Sequence, residues 1–128
     1  MQNKEKKPVA EILVAVEDLI FLAKIQQTAK LLGIAVEALA PANLEARAAE
    51  GSGRAVILDL NHRSGQALET LRALKANVQT SSIPVIGFLS HVQTELVEAA
   101  RAAGCDVVLA RSAFTRDLPQ LLKQYGGA

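Results

Sequence analysis

The stretch VILDLNHRSG, Val56 to Gly65, sets a carboxylate at the end of an apolar run and follows it at once with a polar turn. An aspartate in that place caps a helix, forms a turn or builds a site. The run before Asp59 is continuous in branched aliphatics, as in a parallel strand covered on both faces. Four more short apolar runs accompany it: EILVAV (11–16), IAVEAL (34–39), IPVIGF (83–88) and DVVLA (106–110). IAVEAL alternates and suits an edge strand, and the short DVVLA also belongs near an edge.

Between these runs the apolar period lengthens to that of a helix. Leu22, Ile25, Ala29 and Leu32 form one stripe, with Gly33 placed to end it; Leu68, Leu71, Leu74 and Val78 form another. Leu96, Ala100 and Ala103 form a third, closed by Gly104, and Leu118, Leu121, Leu122 and Tyr125 a fourth. The segment from Pro41 to Glu50 is weaker, carrying Leu44 and Ala48, and Pro41 is acceptable in a first helical turn. Strand and helix thus alternate five times. That order predicts an α/β fold of three layers, a five-stranded parallel sheet with right-handed crossovers and five helices. The flavodoxin-like strand order 2-1-3-4-5 is the most economical one.

With 128 residues the chain has the size of one domain. A solvated tail is expected over residues 1–8, with the NKEKK run at 3–7, and a single domain over 9–128. Half the residues are apolar but the aromatics are only Phe21, Phe88, Phe114 and Tyr125, so the core must be aliphatic and rich in alanine. A net charge of +1 provides no long-range field for nucleic acid or an anionic membrane. No apolar run nears the ~20 residues of a membrane span, and no signal-peptide pattern opens the chain. Cys105 is alone, which excludes a disulfide framework and a CxxC metal pair. A cytoplasmic protein without nucleic-acid or membrane partners is the expectation; dimerisation stays open.

In the expected topology, ligands gather beyond the carboxyl ends of the first and third strands, where the strand order reverses. Glu17 and Asp18 follow the first strand and Asp59 ends the third. Three uncompensated carboxylates repel, so at least one pKa should rise. A hard divalent cation removes that repulsion, and Mg²⁺ commonly binds through one or two carboxylates, waters and phosphate oxygens.

These residues resemble the receiver domain of bacterial response regulators over roughly residues 9 to 126. The parts are ILVAVED with its two acids, VILDL with its aspartate, IPVIGF, and AAGCDVVLARS across the fifth strand. The resemblance implies that Asp59 is a phosphoacceptor for a histidine kinase or phosphotransfer protein. It further implies that Asp18 contacts Mg²⁺ directly, Glu17 through water, and Asn61 through its backbone carbonyl. Ser90 and Arg111 would bind phosphate, and a downstream protein would read the state through a face including Leu96, Glu98, Arg101, Thr115, Arg116 and Gln120.

The chain departs from the family at several positions. Leu89 stands where a Thr or Ser is expected, Arg111 where a lysine is, Ser112 where a proline is, and Val108 where an aromatic switch residue often is. The turn from Asp59 to Gly65 is also about two residues shorter and lacks a Met-Pro pair. The acidic end of the machinery is kept and the switch end altered, so a pseudo-receiver without phosphotransfer is the alternative.

Plain structural readings stand beside these roles. Asp18 suits an N-cap, Glu17 a solvated turn, and Ser90-His-Val-Gln93 a capping box for the helix that follows. Arg111 has Asp117 or the acidic cluster as a partner. His62 and His91 suit surface loops. A flavodoxin-like or cobalamin-like cofactor binder has less support: aromatics are scarce, no Gly-rich phosphate loop follows the first strand, and DLNHRSG matches D-x-H-x-x-G only with an extra residue. GSGR at 51–54 is a turn without P-loop spacing. No Ser-His-Asp set supports an enzyme acting on other molecules.

Overall fold

The structure, a computed structural model, describes residues 10–90 and 93–126. The tail expected at 1–8 lies outside them, as does His91. The elements run β1 (Ile12–Ala15), α1 (Leu19–Leu31), β2 (Val36–Ala38), α2 (Pro41–Ala49), β3 (Ala55–Asp59) and α3 (Ala67–Ala76). They continue with β4 (Val85–Leu89), α4 (Thr94–Ala102), β5 (Val107–Ala110), α5 (Arg111–Arg116) and α6 (Leu118–Gly126). The sheet is parallel in the order β2-β1-β3-β4-β5, as the sequence predicts, with β2 and β5 at the edges.

Period-two alternation along the strands divides the core between two faces. Leu13, Ala15, Val56, Leu58, Val85 and Leu89 point to one face, where α2, α3 and α4 bring Leu44, Leu71, Leu74 and Ala100. Ile12, Val14, Ala55, Ile57, Ile86 and Phe88 point to the other, against Phe21, Ile25 and Ala29 of α1, Phe114 of α5, and Leu118 and Leu122 of α6. All five residues of β3 are buried, as are all five of β4. The few aromatics are concentrated: Phe21, Phe88 and Phe114 form one cluster, with ring centroids 5.1 Å apart for Phe21–Phe88 and Phe88–Phe114 and 5.7 Å for Phe21–Phe114.

Helix ends follow local chemistry. Pro41 opens α2 at its first turn, and Gly33 and Gly104, with φ of 74° and 100°, turn the chain after α1 and α4. Three expectations need correction. The described residues carry six helices where five were expected: a short α5 precedes the Leu118 stripe and does not run on into α6, because Pro119 has no N–H to donate to a carbonyl four residues back. The Asp117 carbonyl instead accepts from Leu121 N–H and starts α6 afresh. Val78 is not part of the α3 stripe: the helix stops at Ala76, and Val78 is 89% exposed. Ser90 does not cap α4, whose N-cap is Gln93, without a side-chain capping bond.

The three-ring cluster gives a stability prediction. Phe114 is fully buried on a helix of only six residues, so Phe114→Ala should lower unfolding free energy by about 3–5 kcal/mol, seen as a reduced urea midpoint at unchanged m-value.

Candidate functional site

The loops after β1, β3, β4 and β5 meet beyond the carboxyl ends of the strands and enclose an open pocket of about 590 Å³. Its lining is Glu17, Asp18, Asp59, Asn61, Arg63, Ser90, Gln93 and Arg111. Every site residue expected from the sequence is therefore in one place. Arg63 and Gln93 were not expected there.

Asp59 is the floor. It is the last residue of β3, pairs in register with Phe88, and is only 6% exposed. Asn61 N–H donates to its Oδ1 at 2.9 Å, the Asx-type bond that also serves to turn the chain. The turn continues with His62 N–H to the Asp59 carbonyl and Gly65 N–H to the His62 carbonyl, and Gly65 takes a φ of 73°. The Asp59 carboxyl is pushed above its ordinary pKa, first by burial, against the opposing pull of the Asn61 and Glu17 backbone N–H groups. The charge of Glu17 contributes least. Repulsion among acids, the cause expected from the sequence, is therefore minor beside desolvation.

Both other carboxylates are already paired. Asp18 does two tasks at once. Its Oδ1 caps α1, accepting from Ile20 N–H at 2.9 Å and Phe21 N–H at 3.1 Å, while its Oδ2 accepts from Arg111 at 2.9 Å. The Arg111 hydrogen bond, and then the Phe21 N–H, hold the Asp18 carboxyl below its usual pKa. Arg111 lies with its guanidinium carbon 4.1 Å from the centroid of the Phe21 ring, a cation–π contact that ties the site to the aromatic cluster. Of the two partners open to Arg111 in the sequence, the acidic cluster is the one it takes; Asp117 pairs with Arg116. Glu17 is clasped by a single residue: Arg63 N–H donates to Oε1 at 2.6 Å, and Arg63 Nε lies 2.6 Å from Oε2.

On the far wall, Asn61 bridges two turns. Its Nδ2 donates to Gln93 Oε1 at 2.6 Å and its Oδ1 accepts from Ser90 N–H at 2.8 Å. That engagement is why the Gln93 side chain is not folded back to cap α4. Ser90 is exposed at the rim, while Leu89 beside it is buried in the core.

The lining suits a hard cation: Glu17, Asp18 and Asp59 bring carboxylates to one solvent-open pocket, and Asn61 lines it beside them. As the side chains stand, however, no three His, Cys, Asp or Glu residues among the described ones are grouped to hold a metal ion. The arginines account for this, because they draw Glu17 and Asp18 into separate pairs. The chemistry fits Mg²⁺, but an incoming ion has to compete with guanidinium groups.

No protein-family model matches the sequence, and no curated protein is similar to it in sequence. Among solved structures the fold is that of response-regulator receiver domains. The chemotaxis protein CheY4 of Vibrio cholerae superposes with a TM-score of 0.78 at 18% identity, over 92% of this chain and 99% of that one. The receiver domain of a sensor histidine kinase from Pseudomonas aeruginosa, with magnesium coordinated in its active-site cleft, gives 0.76 at 20% identity over 94% and 100%. The phosphorylated cyanobacterial phytochrome response regulator RcpA gives 0.76 at 12% identity over 92% and 94%.

The raised pKa of Asp59 has a definite sign for stability. A carboxyl whose pKa is higher in the folded state favours folding while protonated and loses that contribution as pH rises through the folded value. At neutral pH its buried charge is a cost. Asp59→Asn should therefore raise the thermal midpoint at pH 7, and the gain should vanish once the pH falls below the ordinary aspartate pKa; paired melting curves from pH 3 to 7 check both halves.

Proposed function

We propose that this chain is a receiver module of two-component signalling that takes a phosphoryl group on Asp59 and passes its state to a protein partner. The observation that carries the reading is the placement of Asp59: a nearly buried carboxylate at a strand end, forming the floor of an open pocket that it shares with two further acids. Likeness to receivers of under 25% identity supports the fold; the reading of function rests on this pocket.

In the proposed reaction a carboxylate oxygen of Asp59 attacks the phosphorus of a phosphohistidine on a kinase or phosphotransfer protein. The new O–P bond forms an acyl phosphate as the P–N bond breaks, and the electron pair returns to the imidazole, which takes up a proton. Ionised Asp59 is the nucleophile, so burial, which disfavours its charge, makes that charge more reactive once formed. The Asn61 N–H holds one carboxylate oxygen and thereby orients the group. Mg²⁺, held by Asp18, Asp59 and the Asn61 carbonyl with Glu17 through water, would supply charge neutralisation for the transferred group. Ser90 and Arg111, which both line the pocket, would contact the phosphoryl group.

The output face remains part of the proposal. Glu98 and Arg101 on α4 and Gln120 on α6 are exposed, whereas Leu96 packs partly into the core and Arg116 is paired with Asp117.

One observation favours the alternative, a pseudo-receiver that binds partners without phosphotransfer. Leu89, in the position of the expected hydroxyl, is buried at 3% exposure and offers the pocket no hydrogen bond. Incubation with Mg²⁺ and acetyl phosphate, followed by intact-mass measurement, separates the two readings. A single phosphoryl adduct on the native chain, absent in Asp59→Asn, is expected. A folded native sample that stays unmodified would sink the phosphoacceptor reading in favour of the pseudo-receiver.

A further inference from the structure

We propose that Arg63 is an internal counter-ion to Glu17 which a divalent cation must displace, so that the side chain at position 63 sets how tightly the pocket takes its metal. The inference rests on the reading of this pocket as a Mg²⁺ site, and it concerns a residue outside the donor set.

The geometry is one-sided. Both oxygens of Glu17 are occupied by one residue, Oε1 by the Arg63 N–H and Oε2 by the Arg63 guanidinium, each at 2.6 Å. Glu17 lies 46 positions earlier in the chain, so this clasp pins the turn after β3 to the end of β1. A cation that recruits Glu17, directly or through water, has to take it from Arg63 and then sit near the charge it has replaced.

The two arginines of the pocket are not equivalent. Arg111 is 34% exposed, stacks on Phe21 and binds a carboxylate that is itself fixed as the α1 cap. Arg63 is 87% exposed and can swing into solvent. Ion pairs this exposed are weak and screened by salt, whereas a dication interacts with a carboxylate about twice as strongly as a monovalent group at equal distance. Arg63 is therefore the group that yields. Its presence weakens metal binding without blocking it, and in the metal-free protein it spares Glu17 an unpaired charge beside Asp59.

The test is Mn²⁺ and Mg²⁺ binding by titration calorimetry on the native chain, Arg63→Gln, Arg63→Lys and Arg72→Gln, at low and high salt. Arg72 is exposed on α3 and does not line the pocket, so its removal controls for net charge. Arg63→Gln should bind about two- to fivefold more tightly than the native chain at low salt, with the gap narrowing as salt rises. Arg63→Lys, which keeps the charge but loses the fork, should fall between the two. Equal affinities for Arg63→Gln and the native chain, or equal tightening by Arg72→Gln, would overturn the inference and leave the metal reading standing. Absence of binding by every chain would overturn the metal reading, and the inference with it.

Discussion

A parallel sheet covered on both faces leaves its strand ends as the one place where polar side chains can act without disrupting the core. Every feature of the pocket follows from that constraint. β3 and β4 are buried along their whole length, and Asp59 is the first group in β3 to reach polar partners. Because it is still within the strand register, opposite Phe88, it inherits the low polarity of the core beneath it. The same burial that raises its pKa keeps its position firm, since no rotation of β3 is available without unpacking Ile57 and Leu58 from opposite faces of the sheet.

Each acid of the pocket has a different kind of partner. The most buried acid, Asp59, has backbone N–H groups as its partners, which compensate without adding mobile charge. Asp18, at the surface, combines a helix cap with an ion pair to an arginine anchored on an aromatic ring. Glu17 takes the freest arginine. Three acids thus share one pocket with each already partnered, and at Asp59 desolvation outweighs repulsion from Glu17.

Strand order and the meeting of Glu17, Asp18 and Asp59 were legible in the sequence because both depend on short-range pattern, whereas Asn61, Ser90 and Arg111 were expected there through the resemblance to receivers. Aliphatic runs fix strands, a period near 3.6 fixes helices, and the crossover rule then brings particular loops together. What was not legible depends on pairing across distance. Nothing around Arg63 names Glu17 as its partner, and nothing around Gln93 shows that Asn61 will engage its side chain, which makes Ser90-His-Val-Gln93 a misleading capping signal. Val78 and Pro119 are different cases, since the information was local. Val78 continued an apolar spacing past the point where Asn77 turns into extended backbone, and Pro119 marks the start of the same helix that the Leu118 stripe gives, leaving the short α5 before it as a separate element.

Leu89 and Val108 show where the departures from the receiver pattern lead. Both pack with the core on the face covered by α2, α3 and α4, so β4 and β5 present apolar side chains there instead of a hydroxyl and an aromatic ring. An apolar surface of that kind is held by close packing, which resists small displacements and offers no new hydrogen bond to reward one. The polar connection on this side of the pocket runs instead through Asn61, whose amide links the turn after Asp59 to Ser90 and to Gln93 at the head of α4. A change of charge at Asp59 acts first on the Asn61 N–H that it holds. Among the described residues, the hydrogen bonds that join the Asp59 turn to the head of α4 therefore run through one asparagine side chain, next to a buried leucine that offers none.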